Sequence, residues 1–414
     1  MTDTLLQRAS QLIEHGRYQE AEKYLRDVLA SEPNQTDALT LLALCRSELN
    51  DHKEALQLIK QAISQQPDND YLLYLHALFS FHSEAVSEAI TFIKNAIAYN
   101  PYQSEYFGLL ATIQFHQKDW KDALDSANKG LQINSENLTC LNIRSSALFK
   151  LDKKEEAYST IQEALNQDPE NDHTHANIGW GLLEKGEHKK ALEHFRESLK
   201  LNPQNAYAKA GLVEGLKARY WFYRIFLKYA FWIGNLKGKG QWAVILGLYF
   251  GVRLLRFVAE GNEELAPYLY PIIYLYSAFA ISTWVITPLS NLFLRLNVYG
   301  RYALAEDQVT ASNLVGVSLA VGLLGGIGML ISPAMVFLMI LVFGITMMIP
   351  LSSMLTPHKK SSRNILISYT SALAGIGLLA IVLEAAGNGM EILPAIYVIG
   401  VIAYQWIANA FIMR

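Results

Sequence analysis

The pattern of hydrophobic and polar positions changes near residue 240 of this 414-residue chain. Before that point, apolar residues recur every three or four positions among charged ones, as in helices that bury one face. After it, apolar residues form runs close to the roughly 20 residues that a helix needs to cross a membrane. Of the 35 basic and 38 acidic residues, 58 lie in the first 240 and only 15 in 241–414. We therefore expect two helical parts in different surroundings.

The first part repeats with a period of 34 residues. Alanine stands at positions 21, 55, 89, 123, 157 and 191, a small residue precedes each by twelve positions, and a proline follows five of the six by twelve. Small side chains let two helices cross closely, and proline ends a helix because it lacks an N–H. The period predicts six helix pairs, such as Thr36–Leu49 with Lys53–Gln65, which bury one continuous core by stacking.

These spacings resemble the tetratricopeptide repeat family. A small residue at the eighth position, alanine at the twentieth and proline at the thirty-second match the family pattern, and Gly179, Ala191, Phe195 and Pro203 make the last repeat the best match. The tryptophan usual at the fourth position is absent. The resemblance covers roughly residues 2–216 and implies a superhelix whose concave face is lined by the first helix of each pair, with 206–217 as a capping helix.

The resemblance also implies that the concave face binds a protein or peptide. In repeats three to six the expected groove positions carry aromatic and hydrogen-bonding residues, which suit a peptide with apolar anchors. The predicted binding residues are Tyr71, Tyr74, Phe81, His82, Phe115, His116, Asn142, Phe149, Lys150 and Trp180. Leu6 and Ser10 replace the lysine and asparagine with which chaperone-binding members clamp a terminal carboxylate, so such a receptor is not expected. Alternatively, some of these aromatic residues pack between repeats.

A basic and aromatic segment, 217–240, connects the two parts. It holds eight aromatic residues between Tyr220 and Trp232, and Arg224 and Lys228 lie four positions apart on one helical face. Aromatic rings beside basic side chains suit the headgroup layer of a membrane. We predict a helix that lies on the membrane surface; a buried amphipathic helix is the alternative. The predicted lipid-contacting residues are Arg219, Arg224, Lys228, Arg253 and Arg256.

Six apolar segments predict a multi-pass helical membrane domain. They are 241–259, 268–290, 313–331, 334–352, 365–383 and 393–412. Basic residues concentrate in alternate connections, which predicts that both termini are cytoplasmic. The first residues contain no basic and apolar signal peptide, which agrees with this orientation, and the missing organellar targeting signals favour a bacterial inner membrane. The first segment departs from the pattern, because Arg253 and Arg256 lie near its outer end and would pair with glutamates or bind an anionic group.

Two of these segments carry small residues at every fourth position. Ser318, Gly322 and Gly326 mark the third span, and Ser371 with Gly375 marks the fifth. Small residues let membrane helices approach closely. These faces are predicted to pack against other helices, either within the chain or on a membrane-protein partner or second copy. A short amphipathic helix is also predicted over 299–309.

The sequence argues against an enzyme. Residues 241–414 contain one histidine, His358, and one aspartate, Asp307, both in predicted loops, and no HExxH or phosphate-binding glycine motif occurs. No cofactor or metal site is predicted, and the net charge of −3 predicts no nucleic-acid partner.

The predicted organisation is all-α, with a repeat array over 1–216, an interfacial helix over 217–240 and a membrane domain over 241–414. The predicted function is a membrane-anchored scaffold or adaptor that recruits or assembles a complex. The alternative is a transporter-like or channel-like subunit that its repeats regulate.

Overall fold

A computed structural model describes residues 2–296, 304–357 and 359–412. Within these ranges the chain is helical and contains no strand, as the sequence predicts. Contacts divide it into two units, Met1–Gly181 with Lys200–Pro203, and Leu182–Leu199 with Gln204–Arg414. The domain limits at 216 and 240 stay a prediction.

Twelve helices lie at the positions of the six predicted pairs. They are α1 (Thr2–Glu14), α2 (Tyr18–Ser31), α3 (Thr36–Glu48), α4 (His52–Gln65), α5 (Asp70–His82), α6 (Val86–Tyr99), α7 (Ser104–His116), α8 (Trp120–Ile133), α9 (Leu138–Lys150), α10 (Lys154–Gln167), α11 (Asp172–Glu184) and α12 (His188–Leu201). The pair predicted in the second repeat differs by one residue at two of its four ends. From α1 to α10 each helix contacts the next, and α1 contacts α3, α5 contacts α7 and α7 contacts α9. This is the stacking that a helical repeat array requires.

The repeated small residues lie where the two helices of a pair cross. All six period-defining alanines are fully buried, and the preceding small residues, from Ala9 to Gly179, are buried as well. Their neighbours are aliphatic side chains such as Leu25, Ile59 and Ile93, which are also fully buried. The sequence pattern therefore marks the core of the array correctly.

Each pair of helices also turns at a residue with a left-handed backbone. These residues lie at the same 34-residue spacing: Gly16, Asn50, Glu84, Lys118, Asp152 and Gly186, with φ between +61° and +86°. The amide of the following residue closes the turn by donating to the carbonyl five residues earlier, as from Ala85 to Ser80 at 2.9 Å. Glycine and asparagine adopt this backbone readily, whereas glutamate, lysine and aspartate do so at a cost in free energy.

One histidine is enclosed in the array. The His76 side chain is fully buried in α5 and stacks on Phe92 with ring centroids 3.7 Å apart. Its Nδ1 lies 3.2 Å from the Ser80 hydroxyl, and its Nε2 lies 3.6 Å from a Glu88 carboxylate oxygen. Burial lowers the pKa of His76 to about 4, against the opposing effect of Glu88.

This burial predicts that the array loses stability in mild acid. Between the ordinary histidine pKa of about 6.5 and the folded value of about 4, the unfolded chain binds the additional proton, so stability falls as the pH falls through that window. We expect His76 to account for a loss of about 1–2 kcal/mol between pH 7 and pH 5. Thermal unfolding of the full chain at both pH values measures it.

The His76→Phe variant should lose this part of the acid sensitivity, because it carries no titrating group at the buried position. His15→Phe, at an exposed position of the same array, is the matched control and should keep the wild-type pH dependence. An unchanged pH dependence in His76→Phe would contradict the assignment.

Among its described residues from 206 onward, the second unit continues the chain with eight helices. They are α13 (Ala206–Lys217), α14 (Trp221–Asn235), α15 (Gly238–Gly261), α16 (Ala266–Leu296), α17 (Glu306–Ile331), α18 (Met335–Ser353), α19 (Lys360–Ala385) and α20 (Ile392–Ile412). The capping helix predicted over 206–217 has the same limits as α13. Among the described residues, five helices are long and apolar enough to cross a membrane, namely α15, α17, α18, α19 and α20. The predicted count of six spans is not confirmed. Of the helix predicted over 299–309, residues 299–303 lie outside the described ranges.

Helices α17 and α18 approach one another through glycine. Gly322 and Gly344 meet backbone to backbone, and the Ser318 hydroxyl donates to the Gly344 carbonyl at 2.7 Å. The small-residue face of the third span is therefore covered by α18 within the chain, which is the first of the two arrangements predicted for it. On α19, by contrast, Ser371 and Gly375 are exposed.

Tyrosines of α20 join the last helices. The Tyr397 hydroxyl lies 2.7 Å from that of Thr346, and the Tyr404 hydroxyl lies 3.1 Å from that of Ser353, so α18 and α20 run in the same direction. Tyr369 of α19 donates to the carbonyl of Gly400 at 3.1 Å. These bonds satisfy polar groups inside an otherwise apolar cluster.

Candidate functional site

The predicted binding residues lie on the first helices of four successive pairs, α5, α7, α9 and α11. The structure leaves three of them exposed, Tyr71, His82 and His116. Six others are half-buried: Tyr74, Phe81, Phe115, Asn142, Lys150 and Trp180. Exposed side chains that rest on half-buried ones form a surface with little freedom to rearrange, which lowers the entropic cost of binding.

A row of rings links the second, third and fourth repeats. His82 lies 5.3 Å from His52 and 6.3 Å from Phe81, and Phe81 meets His116 edge to face at 5.5 Å between ring centroids. Partial removal from water by the neighbouring rings, followed by the nearby His52, lowers the pKa of His82. His82 is therefore an uncharged hydrogen-bonding group at neutral pH. The row presents apolar edges and imidazole nitrogens together.

A second contact extends this surface into the fifth repeat. Phe115 packs against Trp120 at 4.7 Å, and the Lys150 ammonium lies 5.6 Å from the centre of the Trp120 ring. A cation over the face of an indole is attracted by the ring electrons. Trp120 is the first residue of a second helix, and the sequence analysis did not include it. The sequence could have indicated Trp120, because it lies four residues after the predicted groove residue His116.

A tyrosine cluster lies at the start of α5. Tyr71 stacks on Tyr74 at 6.1 Å, and Tyr74 stacks on Tyr106 at 5.0 Å. The Tyr106 hydroxyl donates to Asp70 at 2.8 Å, and burial, reinforced by that carboxylate, raises the pKa of Tyr106. The cluster is thereby fixed from beneath, while Tyr71 keeps 46% of its surface exposed.

Two predicted residues do not offer a free surface. Phe149 is only 2% exposed, because Gly181 leaves room for its ring and Tyr158 packs against its edge at 5.8 Å. It belongs to the core, and its prediction as a binding residue is corrected. The Asn142 amide donates to the Thr174 hydroxyl at 3.0 Å and so joins two neighbouring repeats.

In the second unit, α14 has two different faces. Tyr223 and Leu227 are buried, whereas Arg224 and Lys228 are exposed, as is Arg219 just before the helix. Aromatic residues of α14 pack on α16, with Phe226 at 5.7 Å from Phe279. Large apolar side chains also stay exposed, namely Trp221, Ile225 and Trp232. This combination is typical of a helix at the surface of a membrane.

Arg253 and Arg256 share an open cavity of about 530 Å³ on α15 and α16, which Glu260 and Tyr276 also line. Arg253 donates to the Tyr249 hydroxyl at 3.3 Å. Within the described ranges, neither guanidinium has a carboxylate oxygen within 4.0 Å.

Among all the residues that the structure describes, no group of three or more histidine, cysteine, aspartate or glutamate residues could hold a metal ion.

Family models match three segments of the chain. A tetratricopeptide repeat model matches residues 12–79, the model of the anaphase-promoting complex, cyclosome, subunit 3 matches 85–164, and a second tetratricopeptide repeat model matches 173–205. No curated protein matches the chain.

Solved structures match about half of this chain. A chain of the APC/C hetero-tetramer Cut9–Hcn1 is 16% identical over 52% of this chain and 43% of that one, with a TM-score of 0.47. PilF of Pseudomonas aeruginosa is 18% identical over 50% and 95%, with a TM-score of 0.43. YrrB, described as a TPR protein with an unusual peptide-binding site, is 18% identical over 44% and 95%, with a TM-score of 0.34. The chain thus spans less than half of the Cut9–Hcn1 chain that it matches.

Proposed function

Because residues 12–205 form a tetratricopeptide repeat segment, we propose that the chain is a membrane-anchored scaffold or adaptor. Its repeats bind a protein or peptide partner and recruit it to a membrane complex. The proposal is carried by three exposed aromatic residues, Tyr71, His82 and His116, which lie against half-buried rings. Ordered aromatic side chains of this kind act as binding hot spots.

The membrane half holds the repeats at the cytoplasmic face, in this proposal through six spans and with both termini inside. The described residues 304–412 support the orientation: Arg363 donates to both carboxylate oxygens of Asp307, at 2.9 and 3.0 Å, so α17 and α19 begin on the same side. Lys359 and Lys360 lie at that end, as the positive-inside rule expects of a cytoplasmic connection. We assign the protein to a bacterial inner membrane and retain the domain limits 1–216, 217–240 and 241–414.

The packing of the last four helices favours an anchor over a transporter. Met347, Leu366, Tyr397 and Tyr404 fill the space between α18, α19 and α20. Of the charged side chains described in α17 to α20, none is buried. A transport path would require polar or charged groups that face an internal cavity. We propose no enzymatic activity.

The proposal is tested by photo-crosslinking in native membranes. A photo-reactive amino acid at position 112, on the half-buried face of α7, should form a defined adduct with one cytoplasmic protein. The triple variant Tyr71→Ala, His82→Ala, His116→Ala removes exposed side chains and should fold normally. Because such residues each contribute about 1 kcal/mol or more at an interface, the adduct should fall by roughly 100-fold.

The matched control removes three exposed side chains from second helices and turns of the same repeats, as Tyr99→Ala, Tyr102→Ala, Ile133→Ala. It should keep the adduct. If both triple variants retain the partner at equal expression, or if both lose it, the groove proposal fails.

A further inference from the structure

A basic pocket lies in the second unit between the turn that joins α11 to α12 and the helix α14. Its volume is about 380 Å³. The turn contributes Lys185, the first residue of α12 is His188, and α14 contributes Arg224 and Lys228. Of the described residues that line it, none is acidic. The pocket therefore gathers three permanent cations and an imidazole around one space.

The imidazole has an unused hydrogen-bonding atom. Nδ1 of His188 is buried and has no hydrogen-bond partner among the residues that the structure describes. A buried polar atom without a partner costs free energy, which a bound ligand would recover. Of the carboxylates next to this turn, Glu184 accepts from Asn235 at 2.8 Å and Glu187 accepts from Lys190 at 2.9 Å.

The pocket is held open by fixed contacts at both ends of α14. The Asn235 bond ties the end of α14 to the end of α11. At the start, Glu214 of α13 accepts from Lys217 and from the Tyr223 hydroxyl. A site whose walls are fixed before binding pays less to order its side chains.

Beside the basic residues, the pocket wall is apolar, and this favours an anion that also carries an apolar part. Trp221 and Ile225 line the pocket and are 68% and 52% exposed. A small soluble anion would satisfy the cations and leave these side chains in water. A phospholipid satisfies both, with its phosphate at the cations and its glycerol and first methylenes against the apolar wall.

We propose that this pocket binds the phosphate-bearing headgroup of an anionic phospholipid. Arg224, Lys228 and Lys185 contact the phosphate oxygens, and His188 hydrogen-bonds to the headgroup. The inference rests on the proposed membrane location of α14. In this proposal a bound lipid joins the turn between α11 and α12 to α14.

The test measures lipid binding to the purified full chain in detergent. Dioctanoyl phosphatidylglycerol, dioctanoyl phosphatidylcholine and inorganic phosphate are titrated separately and followed by Trp fluorescence. We expect phosphatidylglycerol to bind more tightly than phosphatidylcholine, and the double variant Arg224→Gln, Lys228→Gln to weaken its binding about 30-fold. Both substituted side chains are exposed, so the melting temperature without lipid should stay unchanged.

The matched control is Lys237→Gln, Lys239→Gln, which removes the same charge from exposed positions outside the pocket. It should bind phosphatidylglycerol as the wild type does. Equal weakening in both double variants, or equal binding of the two lipids, overturns the pocket. If inorganic phosphate binds as tightly as phosphatidylglycerol, the conclusion that the bound phosphate belongs to a lipid is wrong. Crosslinking of the groove partner in the Arg224→Gln, Lys228→Gln variant is independent of these outcomes, so failure here leaves the scaffold proposal standing.

Discussion

Replacement of Glu214 by glutamine is expected to destabilise the α13–α14 junction by about 3–5 kcal/mol. Lys217 is only 4% exposed, and its ammonium donates to Glu214 at 3.0 Å. The Tyr223 hydroxyl donates to the same carboxylate, and burial, together with Glu214, raises the pKa of Tyr223. Glutamine leaves a buried cation without its counter-charge. Thermal unfolding of the full chain, followed by Trp fluorescence, measures the loss.

Two further variants separate this effect from the general loss of an ion pair. The double variant Glu214→Gln, Lys217→Met removes both charges and should recover most of the stability. The exposed pair of Lys153 and Glu156, at 2.9 Å, has the same spacing along its helix, and Glu156→Gln should leave the unfolding transition unchanged. A Glu214→Gln protein that melts with the wild type would show that Lys217 does not depend on this carboxylate.

The repeat helices were predictable because stacking imposes a period on the chain. Both crossing positions must be small in every repeat, so alanine at a constant spacing reveals the register. The capping helix followed from the same register. The left-handed turn residue is equally periodic in the structure but not in the sequence. Glu84, Lys118 and Asp152 occupy it without the glycine that would reveal it, since the surrounding hydrogen bonds compensate for the strain.

The candidate groove was predictable only in part, because burial depends on neighbours that are distant in sequence. Phe149 has the same repeat position as Phe81 and Phe115, yet Gly181 of the following first helix leaves a space that its ring fills. Trp120 joins this surface, and the buried Tyr106 supports it, through contacts with rings on other helices. Repeat position alone does not specify such contacts.

In the membrane half, the apolar helices could be predicted from the sequence more readily than the contacts between them. Small residues at every fourth position marked the face of α17 that packs closely against α18. The Ser371–Gly375 face of α19 is exposed, and its packing against another chain stays a prediction. The pattern did not show which of the two faces α18 covers, because that contact depends on Gly344 of α18. The basic pocket has the same origin: Lys185 and His188 lie far from Arg224 in sequence and meet it only through the fold.

The closest packing in the membrane half predicts a large effect from one added side chain. In a Gly344→Leu variant the new Cβ would meet the backbone of Gly322 and the Ser318 carbonyl oxygen. Backbone atoms cannot rotate away, so α17 and α18 must separate, and the 2.7 Å bond from Ser318 to Gly344 breaks. We expect a loss of about 3 kcal/mol or more. Unfolding of the full chain in mixed micelles of increasing SDS content measures it.

Gly375→Leu is the matched control in the neighbouring helix, because nothing lies within 4 Å of a Cβ built at Gly375. The same substitution there should leave the unfolding midpoint unchanged, since leucine favours a helix more than glycine does. A Gly344→Leu protein as stable as the wild type would contradict the close backbone contact. A Gly375→Leu protein that keeps its unfolding midpoint in micelles but no longer assembles in native membranes would instead indicate that a second chain covers the Ser371–Gly375 face.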